Sequence, residues 1–118
     1  MIRLVMTMTL LSLVTWKPQY AQLPKEVQDW YQAQELTPEG QIVFQFKSCC
    51  ANSDVVSTQF RVDKTTGADQ WWFLNSAGKW ERIPDYAIHW GSIAPGGKAV
   101  MFALNGRPTC FYPAASGN

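Results

Sequence analysis

The feature that most constrains this chain is its cysteine set: an adjacent pair, Cys49 and Cys50, and a distant third, Cys110. A bond from either member of the pair to Cys110 closes a loop of about 60 residues, which in the chain-entropy treatment contributes about 4 kcal/mol. In a chain of 118 residues, whose single domain buries only a modest share of its unfolded surface, that contribution is decisive. The sequence leaves open which of the two pairs with Cys110. A Cys49–Cys50 bond would close an unfavourably tight ring and is the weaker reading. The cysteine left over is either a buried, inert side chain or a thiol that joins two copies. Cys49, Cys50, Cys110 and His89 also make a Cys3His donor set. Structural zinc sites space paired ligands two to four residues apart, which adjacent cysteines do not. The c-type haem motif Cys-x-x-Cys-His is absent. The expectation is therefore a disulfide, with no metal and no cofactor.

A disulfide implies an oxidising compartment, and the N-terminus agrees. Arg3 precedes an apolar run from Leu4 to Trp16 that is too short to span a bilayer comfortably. This is the layout of a secretory signal peptide at 1–21, with cleavage after Ala21, although Gln19 stands where a small residue is preferred. An uncleaved anchor and a buried helix are the alternatives. Residues 22–118 then form one small exported domain with its core at about 41–113. Cleavage removes Arg3 and Lys17, taking the formal charge from +1 to −1. Lysines and arginines are scattered singly, so there is no electrostatic footprint for nucleic acid or an anionic membrane. Contact with a membrane is expected only through an uncleaved N-terminal segment or a complex.

The local pattern predicts an α+β fold. Gln22–Glu35 reads as a helix, with Pro24 in its first turn and Leu23, Val27, Trp30 and Tyr31 on one face. Pro38 and Gly40 are expected to end it. Gln41–Lys47, Ser57–Asp63, Gln70–Leu74, Lys79–Ile83, Ala99–Leu104 and Pro108–Tyr112 read as short strands. Asn75–Gly78 reads as a four-residue hairpin loop, and Asn105-Gly106 supplies the positive φ angles of a tight hairpin. The expected architecture is an N-terminal helix packed on an antiparallel meander of about four to six short strands. Pro84–Lys98 is the least regular connection, with one helical turn at Asp85–His89 and a loop at Pro95-Gly96-Gly97. Loops carry function more often than framework does, so a site is expected there.

Few residues here carry catalytic chemistry. His89, the sole histidine, stands four residues after Asp85, an acid/base pair if the segment is helical. The plainer reading is a histidine capping a turn beside Trp90. A nucleophilic thiol would require Cys49 or Cys50 to be free and activated. There is no Gly-x-Ser-x-Gly, phosphate loop or His-Glu-x-x-His. The tryptophans are more informative. Trp71, Trp72 and Trp80 fall on one hairpin, and Tyr86 and Trp90 follow closely. Strand alternation sends Trp71 and Trp72 to opposite faces, so one points away from the main core unless the helix covers it. Trp71, Trp72, Trp80, Tyr86 and Trp90 are the candidate binding surface, with core packing as the competing role.

These residues also carry a resemblance. Ser48-Cys49-Cys50 with Asp54, Thr58–Val62, Trp71-Trp72-Phe73, Gly78–Pro84, Ile88–Gly91 and Thr109–Pro113 resemble the small, exported, uncharacterised proteins of rhizobia and related Alphaproteobacteria. The likeness spans about residues 47–113. Some members of the broader group carry another cysteine beside the Asp, where this chain has Val55, so a second disulfide is not expected from the resemblance. The resemblance implies export and a small domain, and no activity. The expectation is a periplasmic or secreted, non-catalytic binding module or accessory subunit, with an unidentified protein or small molecule as partner. A small enzyme or thiol redox protein built on His89 and Asp85, or on a free cysteine, is the alternative.

Overall fold

The computed structural model describes residues 22–115. The segment expected to be a signal peptide, including the cleavage point after Ala21, lies outside the described residues. The fold is α+β in three layers: short helices, a three-stranded antiparallel sheet, and a second three-stranded antiparallel sheet.

The helical layer comprises α1 (Lys25–Ala33), α2 (Pro38–Phe44) and α3 (Cys49–Asn52). Pro24 precedes α1, and no α1 side chain is fully buried. Its apolar face instead half-buries Trp30 and Tyr31 against the sheet, with Trp30 4.9 Å from the Tyr112 ring and Tyr31 5.9 Å from Phe102. The segment expected to run as a strand from Gln41 is instead the body of α2. The capping chemistry ahead of it decides the outcome. Thr37 is extended, its hydroxyl accepts the Gly40 N–H at 2.9 Å, and Pro38 occupies the first turn where no donor is needed. The Thr37 hydroxyl also donates to the Tyr86 carbonyl, stitching the helix start to the later connection. Gly40 is buried there, and a Cβ at this position would crowd that same carbonyl at 3.2 Å. Between α2 and α3 the chain doubles back beside the end of α1. Leu36 N–H donates to the Lys47 carbonyl and Cys49 N–H to the Gln34 carbonyl.

The expected single meander is two sheets. One has the order β1 (Asp54–Val56), β5 (Val100–Leu104), β6 (Arg107–Tyr112); the other is β2 (Phe60–Asp63), β3 (Gln70–Leu74), β4 (Trp80–Arg82). β2, β3 and β4 are a true meander. β5 and β6 form the hairpin expected around Asn105-Gly106, whose φ angles of 51° and 82° are both positive, as a tight turn matched to strand twist requires. The chain leaves the first sheet after β1 and returns to it only with β5. β1 was not evident in the sequence because three residues, Asp54-Val55-Val56, carry no usable alternation.

β5 and β6 are buried on both faces, which explains their run of uninterrupted apolar residues. Alternation divides them. Val100, Phe102, Cys110 and Tyr112 face the helices with Leu36 and Cys49; Met101, Ala103 and Phe111 face the second sheet with Trp71, Phe73 and Ile83. A bulge between Phe102 and Ala103 lets Pro108 sit in β6 with little loss to the ladder. Beside it the Thr109 hydroxyl, fully buried, meets the Ser53 hydroxyl at 2.9 Å, so each buried oxygen has a partner.

Candidate functional site

The cysteines resolve into one clasp. Cys49 on α3 and Cys110 on β6 form a disulfide across a sequence separation of 61 residues, and both are fully buried. Cys50, partly buried, is the free thiol. Burial, and then the Asp54 carboxylate, push its pKa up, away from the activated thiolate that a nucleophile needs.

His89 stands beside this clasp. The expected helical turn is shorter, a 3-10 turn over Asp85–Ala87. It does not set Asp85 and His89 to work together: Asp85 is exposed and pairs with Arg82 at 3.4 Å. His89 is held by β6 instead. Its N–H donates to the Phe111 carbonyl at 2.8 Å, and its ring stacks on Tyr112 with centroids 4.4 Å apart and planes 8° from parallel. The Tyr112 hydroxyl donates to Gln34 Oε1 at 2.8 Å, which fixes that stack from below. Burial lowers the His89 pKa and raises that of Tyr112, so both rings are neutral at pH 7. His89 Nε2 is buried with no hydrogen-bond partner. A ring nitrogen of His89 and the sulfurs of Cys49 and Cys110 lie within 4.8 Å of one another.

A second locus is a cleft of about 340 Å3 lined by Lys64, Asp69, Trp71, Trp90–Ile93 and the stretch 113–115. Its rim is the connection after the 3-10 turn. That connection is tied to β6 at Ile88 and His89, and Gly97 is tied to the chain beyond β6 by the Ala115 N–H. Between these anchors Trp90 and Ile93 are more than half exposed, at 52% and 57%. On the other side the Lys64 ammonium pairs with Asp69 at 3.1 Å. Trp71 forms part of the wall. It is 1% exposed, and its indole N–H is buried with no acceptor. Such an orphaned donor is uncommon in folded proteins.

The five aromatic residues singled out in the sequence are therefore dispersed. Trp71 faces inward, 5.2 Å from the Phe111 ring, and is not a surface residue. Trp72 lies on the opposite, outward face of β3, half-buried. Trp80 is half-buried beneath the Arg61 guanidinium, 4.5 Å above its ring. Tyr86 packs edge-on to Phe44, 5.9 Å away, and borders the core. Trp90 alone of the five is exposed. Trp71 and Trp90 meet at the cleft. Ile93, Lys64 and Asp69 join them there, and no periodic pattern in the sequence marks those three. The chain matches no protein-family model, no curated protein and no solved structure.

Proposed function

We propose that this chain is an exported, disulfide-clasped binding module, of the kind suggested by its resemblance to small exported rhizobial proteins. Its ligand is an N-acetylated saccharide held in the cleft between Trp90 and Trp71. The exposed ring of Trp90 on the rim of a cleft that Trp71 also lines carries this reading. The Trp71 indole N–H is sealed behind that wall and has no protein acceptor, so an acetamide carbonyl would satisfy it once a small shift of the wall lets the ligand reach it. Exposed Trp90 offers a flat apolar face to a pyranose ring. Lys64 and Asp69 at the rim offer polar contacts to ring hydroxyls. The buried Cys49–Cys110 bond is compatible with an oxidising compartment outside the cytoplasm. Among the described residues no helix is long and apolar enough to cross a membrane. Service as an accessory subunit of an envelope complex is one form of this role.

Titration of tryptophan fluorescence with tri-N-acetylchitotriose tests the proposal. A saturable change is expected, with cellotriose, which lacks the acetamide, far weaker. Trp90→Ala should weaken binding about tenfold, the equivalent of the upper end of the roughly 1.5 kcal/mol an aromatic contact supplies. No saturable change with either sugar, or equal binding of both, defeats the reading.

A further inference from the structure

The clasp and its histidine are not among the residues that line the cleft, and they hold a donor set of their own. Two sulfurs and one imidazole nitrogen, drawn from three separate elements, lie within 4.8 Å of one another. Around a single ion, sulfur ligands at about 2.3 Å and nitrogen at about 2.0 Å stand roughly 3.5–4 Å from each other. Once the two sulfurs are no longer bonded, all three donors reach that spacing with small side-chain rotations. The supports are already in place. β6 carries Cys110, Ser48 caps the short α3 that carries Cys49, and His89 is pinned by its bond to Phe111 and its stack on Tyr112. The buried Nε2 of His89, which no protein group answers, is a second and independent observation at this locus. Cys50 is not part of the group.

We propose that the reduced clasp is a thiophilic metal site, in which Cys49, Cys110 and His89 hold one d10 cation such as Zn2+ in place of the disulfide. A dithiol reductant delivers two electrons and two protons to the Cys49–Cys110 bond and leaves as its own disulfide. The cation then displaces the two thiol protons and is held by two thiolates and one neutral imidazole. Three protein ligands leave a fourth position open to water or a small ligand. A small-molecule disulfide takes two electrons from the thiolates and, with two protons from solvent, leaves as its dithiol; the cation is released and the Cys49–Cys110 bond restored, so one locus alternates between a covalent and a coordinate clasp. Thiolate pairs select d10 and other soft cations over Mg2+ or Ca2+.

The test uses the purified protein reduced anaerobically with a phosphine, with Co2+ as the spectroscopic reporter and Zn2+ as competitor. One equivalent of Co2+ should give sulfur-to-metal charge-transfer and visible tetrahedral absorption, bleached by Zn2+. The oxidised protein should give none. Near-ultraviolet circular dichroism of the Zn2+-loaded reduced protein should return towards that of the oxidised protein. His89→Ala should weaken Zn2+ binding by at least the 10–100-fold that loss of even a supporting residue costs. Cys50→Ser should bind as the parent does. The proposal is overturned by any of four results: no absorption from the reduced protein, absorption unchanged in His89→Ala, absorption lost in Cys50→Ser, or binding only to a chain that metal does not refold. Because the readout is metal absorption, it is independent of saccharide binding at the cleft.

Discussion

The two faces of the sheet β1-β5-β6 are closed by different physical means. The helix side is held by a covalent bond between α3 and β6, with the Ser53–Thr109 and Gln34–Tyr112 hydrogen bonds beside it. Ring contacts join both sides, Trp30 on Tyr112 and Tyr31 on Phe102 among them on the helix side; among the described residues the other side has rings without a covalent bond, Phe111 lying 5.3 Å from Phe60 and 5.2 Å from Trp71. The contrast follows from what each layer brings. α2 and α3 have seven and four residues, too short to be stable as isolated helices, and none of the three helices buries a large side chain completely. The second sheet brings a continuous ladder with Trp71 and Phe73 buried on one face. A weak layer needs a tether, and a strong one needs only complementary shape.

Breaking the tether should have the largest effect. The double variant Cys49→Ala, Cys110→Ala is expected to lose about 4 kcal/mol in denaturant unfolding, because the unfolded chain regains the freedom of a 61-residue loop. A loss below about 1 kcal/mol would mean the helix side stands without its clasp. On the ring side, Phe111→Leu keeps an apolar group but removes two ring–ring contacts, and should cost about 1–1.5 kcal/mol. A cost above that of the cysteine variant would reverse the comparison. Thr37→Ala removes the α2 cap and should cost about 1 kcal/mol by thermal melting, with Thr37→Ser close to the parent. The smallest effect belongs to the exposed turn of the second sheet. Hydrogen bonds from the Thr65 side chain and N–H hold the Asp63 pKa below its ordinary 3.8. The unfolded chain therefore takes up the proton first. The stability this supplies is present above pH 3.8 and is lost as pH falls through the folded-state value. Asp63→Asn should be slightly less stable than the parent at neutral pH and converge on it in acid, giving a shallower acid limb; an identical limb would mean the turn adds nothing to either face.

The sequence carried β3, the Asn105-Gly106 hairpin and the need for a clasp on Cys110, because each rests on local chemistry. Strand alternation also placed Trp71 and Trp72 on opposite faces. What it hid was decided by neighbours. Gln41–Phe44 suits a strand and a helix equally well, and Thr37-Pro38 settled it as a helix from outside the segment. Nothing local reveals that β1 leaves its sheet-mates until β5, because pairing over such a span is set by which faces are free to pack. The choice of Cys49 over Cys50 is rotational: α3 turns the first sulfur inward toward β6 and leaves the second at the surface. The cleft was half legible. Trp90 in the irregular connection was marked, but Ile93, Lys64 and Asp69 converge on it only through the tertiary path.

β6 comes last among the described elements, yet it supplies Cys110 and Tyr112 to one core and Phe111 to the other. A chain delivered N-terminus first, as from a ribosome, therefore presents both cores unfinished until residues 107–112 arrive. No covalent closure with Cys110 is possible before then. The order of the strands makes the fold a lock set by its last described strand, so closure of the Cys49–Cys110 bond follows the arrival of β6.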